Sequence, residues 1–190
     1  MEYRITLPMS EEAALSLRSG DRVLLTGIVY TARDEAHERL VKLSDWPFEP
    51  QDAAIYYTGP CPAPPGAVSG PVGPTTSARM DAYTPTVLER GVRCLIGKGQ
   101  RSEAVKAALV EHHAVYLAAT GGAGALLSKR VKVARVLAFP ELGAEAVYEL
   151  HVEALPCTVV NDCYGNDLYQ TSMILASPLG EAVTSSQTGD

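Results

Sequence analysis

The sequence predicts a layered α/β domain built on a largely buried sheet. Three observations point there. The 190 residues are 46% hydrophobic and only 20% charged, enough for one sizeable core. Several short runs are apolar on successive residues rather than on alternate ones, as in Val23–Tyr30 and Ala114–Ala119, which marks strands covered on both faces. Between them lie helix-period segments, and strands that alternate with helices build α/β layers.

In chain order, residues 1–20 read as a lead-in closing at Ser19-Gly20. Val23–Tyr30 is the first strand, and Thr31 with Asp34 fits a capping box opening a helix whose Ala36, Leu40 and Leu43 share a face. Arg33 and Asp34 then fall at a strand-to-helix junction. Ala53–Tyr57 is a second strand. A long stiff loop follows, and seven of the thirteen prolines lie between residues 50 and 74, a density suited to a functional loop or a linker. Gly73-Pro74-Thr75-Thr76-Ser77-Ala78-Arg79 then sets three hydroxyl side chains and an arginine after a turn. Thr84-Pro85 opens a short helix that Gly91 closes, with Pro at the first helical position. Val92–Ile96 is a strand ending at Gly97-Lys98-Gly99, and Ser102 caps a helix over 103–112. Ala114–Ala119 is a strand, and Thr120–Leu127 turns into a helix ending near Lys132. Val133–Phe139, Val147–Val152 and the short Thr158–Val160 are further strands. Residues 1–176 form one expected domain, and the small, polar residues 177–190 read as a frayed tail.

Composition removes several functions. Sixteen Lys+Arg against twenty-two Asp+Glu leave a formal charge of −6, against a general nucleic-acid binder. No apolar run reaches membrane-spanning length, and the N-terminus lacks an apolar signal core, so a soluble, cytoplasmic protein is expected. Cys61, Cys94, Cys157 and Cys163 form no Cys-x-x-Cys pair, so neither a disulfide framework nor a complete zinc or iron–sulfur site made by this chain alone is expected. Gly97-Lys98 is not followed by Ser or Thr, and Gly122-Ala123-Gly124 has Leu127 in place of the third glycine, so neither nucleotide motif is complete. His112 and His113 diverge by about 100° on a helix and cannot chelate one metal as an i, i+4 pair can. His37 lies three residues after Asp34 and can face the same junction, although a single histidine is more often structural. No nucleophile elbow is present.

What remains is three cations, Arg33, Arg79 and Lys98, each at the end of a strand or in the loop after one. Ligand crevices of α/β sheets open at the carboxyl ends of strands. Two guanidinium forks and an ammonium suit a small dicarboxylate, because Arg grips carboxylates bidentately.

Gly73-Pro74-Thr75-Thr76-Ser77-Ala78-Arg79-Met80-Asp81, Gly97-Lys98-Gly99 and Tyr30-Thr31-Ala32-Arg33-Asp34-Glu35-Ala36-His37 together resemble the β subunit of class I fumarate hydratase and of tartrate dehydratase. Tyr57-Thr58-Gly59-Pro60 and Asn161–Leu168 share the likeness, which covers roughly residues 5–170. Ala78 and Glu35 depart from the small residues common at those places, without removing a functional group. The resemblance implies a swivelling β/β/α layered domain with a mixed sheet. It implies the reversible dehydration of (S)-malate to fumarate, or of tartrate or a methylated fumarate such as mesaconate. It also implies an α2β2-type heteromer in which an α subunit holds a [4Fe–4S] cluster whose open iron is the Lewis acid. By the same likeness Arg33, Arg79 and Lys98 bind substrate carboxylate or hydroxyl groups. Thr75 stands at the reacting carbon, as proton acceptor or only as a hydrogen-bonding group. A threonine is a poor base at its free pKa, so the first role needs activation by Lys98, an arginine or a partner group. A different class stays open beside these: a stand-alone module that binds dicarboxylates without catalysis.

Overall fold

A computed structural model describes residues 1–119 and 123–176. Seven strands run β1 (Glu2–Thr6), β2 (Arg22–Thr31), β3 (Ala54–Tyr56), β4 (Cys94–Gly97), β5 (Val115–Ala119), β6 (Val131–Ala138) and β7 (Val147–Asn161). Six helices accompany them: α1 (Glu11–Ser16), α2 (Asp34–Leu40), α3 (Thr84–Glu89), α4 (Glu103–Glu111), α5 (Gly124–Ser128) and α6 (Leu168–Ala176). The sheet order is β1-β2-β3-β4-β5-β7-β6. The first five strands pair in parallel, and β7 lies antiparallel to β2, β5 and β6, so the sheet is mixed. Because β7 pairs with both β2 and β5, β2, β3, β4, β5 and β7 close into a barrel-like ring.

The ring explains the unbroken apolar strands. Side chains alternate across a strand, and here both faces are covered. Ala54, Tyr56, Cys94, Ile96, Val115 and Leu117 join one core with Leu25, Val29, Leu150 and Leu155. Their neighbours Ile55, Tyr57, Leu95 and Tyr116 join a second core with Ala36 and Leu40 of α2, Val87 and Leu88 of α3 and Val105 and Leu109 of α4.

Five local expectations change. The helix expected to reach Leu43 stops at Leu40, and Leu43 is exposed beyond it. Residues 1–20 are not a lead-in: β1 pairs along β2 from Glu2↔Arg22 to Thr6↔Thr26, and Ser10 caps α1 by accepting from the Ala13 amide. No capping box forms at Thr31. That residue still belongs to β2, and its hydroxyl donates to Ala146 O and accepts from the Tyr148 amide, while Arg33 takes the N-cap position. The two strands expected over Val147–Val152 and Thr158–Val160 are one fifteen-residue strand. It continues through Leu155-Pro156 because a bulge lets it bend. Ala154 has φ 50, its amide donates to Thr26 Oγ1, and the β2 register jumps from Leu25↔Leu155 to Gly27↔Val152. Finally, α5 stops at Ser128, and Lys132 already lies in β6. The Thr120-Gly121-Gly122 turn and the expected tail at 177–190 lie outside the described residues.

No described helix is long and apolar enough to cross a membrane.

Candidate functional site

β2, β3 and β4 are parallel, so their carboxyl ends share one edge of the sheet. The candidate residues come from the loops leaving that edge. Arg33 caps α2 directly after β2. The loop after β3 returns along the edge, where the Thr75 amide donates to Tyr57 O at 2.7 Å. Thr76 bridges Lys98 in parallel register, just past β4. A 3-10 turn over Ser77–Met80 then carries Arg79 toward α2. Arg79 Nη2 donates to Asp34 Oδ2 at 2.5 Å. Arg33, Asp34 and Arg79 thus form one group and Thr75, Ser77 and Lys98 another, joined by the short turn between Ser77 and Arg79. Arg79 and Lys98 are exposed, and Thr75 and Arg33 are half-buried.

Both arginines are held from one side. Arg33 Nη2 pairs with Glu145 Oε1 at 2.9 Å, and its Nε has no partner among the described residues. Asp34 Oδ1, His37 Nε2 and Glu145 Oε2 are likewise buried and unpartnered there. Four orphaned polar atoms at one sheet edge are notable, because buried polar groups normally find partners. Burial works to raise the Asp34 carboxyl, but its hydrogen bonds and the Arg79 and Arg33 charges together hold it below its ordinary value. Glu145 arrives from 112 positions away on the 3-10 segment Pro140–Glu145. Gly59 makes room for it: a Cβ there would stand 2.7 Å from Ala144 O and 3.2 Å from Arg33 Nη1.

His37 does face the junction. Its ring is fully buried, and Nδ1 lies 2.8 Å from Arg33 O. A carbonyl only accepts, so Nδ1 carries the proton and Nε2 is a bare lone pair. Burial first, helped by the Arg101 charge, lowers its pKa to about 4, so the ring is neutral near pH 7.

Beneath the edge lies a layer that composition did not reveal. The Arg101 side chain has no exposed surface; it donates to Asp81 Oδ1 and to Thr84 Oγ1, each at 2.7 Å, and sits over the Tyr57 and Tyr116 rings. Ser77 and Tyr116 are buried against each other, Oγ to OH at 2.8 Å. The Asn161–Leu168 stretch is built on Asp162, which is 1% exposed and accepts from the Ser19, Tyr164 and Asn166 amides.

The buried thiols of this chain do not suit a metal cluster. Cys94 and Cys157 are buried in the ring core, and burial pushes Cys157 up to about 12 and Cys94 well above its ordinary value, so neither thiolate forms readily. Cys61 lies apart on the proline-rich loop, and no group of three or more His, Cys, Asp or Glu among the described residues could hold a metal ion.

A family model described as Fumarase C-terminus matches residues 2–172. The chain belongs to the fumarase C-terminus family. Fumarate hydratase 2 of Leishmania major is 40% identical over 160 residues, covering 81% of this chain and 28% of that protein. The anaerobic class I fumarate hydratase of Escherichia coli (strain K12) is 40% identical over 155 residues, covering 78% of this chain and 28% of that one. This fumarase C-terminus chain therefore spans little more than a quarter of those relatives. It matches 92% of a Methanocaldococcus jannaschii protein named "Putative L(+)-tartrate dehydratase subunit beta", at 36% identity over 180 residues and 90% of this chain. The runs around Arg33, Thr75 and Lys98, far apart in sequence, all lie on one sheet edge.

Proposed function

We propose that this chain is the β subunit of a hydro-lyase that interconverts (S)-malate and fumarate in a site shared with an α subunit. The observation that carries the reading is the convergence of Arg33, Arg79 and Lys98 on one strand-end edge, with Thr75 in the same group of loops. A 2-hydroxydicarboxylate carries two anionic ends and a C–H to be broken. The guanidinium groups of Arg33 and Arg79 and the Lys98 ammonium take the carboxylates, and holding them fixes the reacting carbon. Asp34 and Glu145 each hold one arginine from one side and leave its remaining N–H donors for substrate. In this reading Thr75 Oγ1 takes, or hydrogen-bonds, the proton leaving that carbon.

A [4Fe–4S] cluster belongs, in this reading, to the α subunit, since the buried thiols here do not fit one. The exposure of Arg79 and Lys98 leaves the edge open to that partner. A α2β2-type assembly in the cytoplasm completes the proposal.

A second reading changes only the substrate. The relative matched over nearly its whole length carries the name of a tartrate dehydratase subunit, which favours tartrate. One experiment addresses both: co-express the chain with an α subunit bearing three cysteine ligands, reconstitute anaerobically, and compare kcat/KM for malate, fumarate, tartrate and mesaconate. Turnover of none of these sinks the proposal, and diacid binding by the isolated chain in calorimetry, without turnover in the complex, replaces it with a non-catalytic dicarboxylate binder.

A further inference from the structure

Lys98 has no ion pair among the described residues, and its backbone is fixed instead by one buried side chain. Ser77 Oγ accepts from the Lys98 amide at 3.1 Å, and the Ser77 amide donates to Lys98 O at 2.9 Å. The next residue, Gly99, has φ 85, and its carbonyl accepts from the Tyr116 hydroxyl at 3.0 Å. That commits the single Tyr116 hydroxyl proton, so across the 2.8 Å contact Ser77 donates and Tyr116 accepts. Proton directions along Lys98 N–H, Ser77 O–H, Tyr116 O–H and Gly99 C=O then run one way, with every donor and acceptor satisfied. Ser77 and Tyr116 are both fully buried. The neighbouring glycine is shaped for this contact: a Cβ on Gly97 would stand 2.0 Å from Ser77 Oγ. Ser77 also begins the 3-10 turn that carries Arg79.

We propose that Ser77 and Tyr116 are positioning residues that pin the Lys98 tip against the Arg79 turn, and so set the spacing of two carboxylate-binding cations without touching substrate. The inference rests on the proposed hydro-lyase function. The Thr75 amide is tied to Tyr57 O, outside this chain of bonds, so the pin acts on carboxylate binding more than on proton removal.

The experiment uses the α/β complex with Tyr116→Phe, Ser77→Ala and the double variant. Tyr116→Phe keeps the ring beneath Arg101, which lies 4.8 Å from its centroid, and removes only the hydroxyl. We expect KM for malate to rise about tenfold with kcat within about threefold of wild type, the pattern of lost binding rather than lost chemistry. Residues in one hydrogen-bond network are not additive, so the double variant should match the worse single variant. In a Lys98→Met background, Tyr116→Phe should change KM no further. A wild-type KM for Tyr116→Phe, or an equal KM rise with and without the Lys98 ammonium, overturns the proposal. Hydrogen exchange at the Lys98 amide reads the pin without turnover: slow in wild type, and faster by about tenfold or more in either single variant. Equal exchange in all forms overturns the pin itself. An inactive wild-type complex with a protected Lys98 amide defeats the hydro-lyase reading instead, and with it the role in substrate binding.

Discussion

Replacing His37 with Asn should flatten the acid limb of the stability curve. The His37 ring is fully buried, donates from Nδ1 to Arg33 O, and has its pKa lowered from 6.5 to about 4. Desolvation is the leading cause, and the Arg101 charge adds to it against the opposing pull of Asp34 and the Arg33 carbonyl. Above about pH 7.5 the imidazole is neutral whether folded or unfolded, and stability does not depend on it. As pH falls from 6.5 toward 4, the unfolded chain takes up a proton that the folded chain refuses, so stability falls. The linkage relation gives a loss of about 1 kcal/mol at pH 5.5, rising to about 3 kcal/mol at pH 4.5 and below. Asn can donate to the same carbonyl and does not titrate. It gives up the ring contacts with Tyr57 and Tyr83, at centroid distances of 5.4 and 6.1 Å. That loss lowers stability by about 2 kcal/mol at every pH. Urea unfolding followed by far-UV circular dichroism at pH 7.5 and 4.5 reads the difference. The wild-type advantage of about 2 kcal/mol at pH 7.5 should vanish or slightly invert by pH 4.5. Carboxylates common to both proteins cancel in the comparison. Two curves that stay parallel across this range would refute a neutral, proton-refusing His37.

On the strand-end edge, three substitutions are read in the reconstituted complex. Arg79→Lys should lower kcat/KM by on the order of 10², because a flexible ammonium cannot keep both the Asp34 contact and a carboxylate fork, while the melting temperature barely moves for a half-exposed side chain; unchanged kinetics would remove Arg79 from the site. Thr75→Ala should reduce kcat about 10²-fold or more and Thr75→Ser should retain most of it, as expected for a group that receives a proton; a loss below about tenfold in the Ala variant would leave Thr75 as a hydrogen-bonding group only. Gly59→Ala should push Ala144 and Arg33 apart, lowering stability by about 1–3 kcal/mol in urea and raising KM for the dicarboxylate; a wild-type KM would show that Arg33 needs no such fit.

Much of this protein was written locally. Ala114–Ala119 announces a doubly covered strand because every residue is apolar, and Ser102 announces α4 because its hydroxyl accepts from the Val105 amide, an interaction three residues long. The cations Arg33, Arg79 and Lys98 could be placed at strand ends because strand ends are local too. Other features depend on partners distant in the chain. Thr31 satisfies a capping pattern yet bonds to Ala146 and Tyr148, since a strand pairing on both sides offers its hydroxyl better-placed partners than the helix that follows. Val147–Asn161 is one strand because β2 and β5 supply ladder partners on either side of a bulge, which no reading of Leu155-Pro156 alone reveals. Glu145 meets Arg33, and Tyr116 meets Ser77, across long stretches of chain, so no spacing rule links them. Local pattern alone specifies an acidic, strand-and-helix domain with three cations at loop positions. It takes the pairing of parallel strands, whose partners lie far apart in the chain, to bring the loops that carry those cations out at one edge.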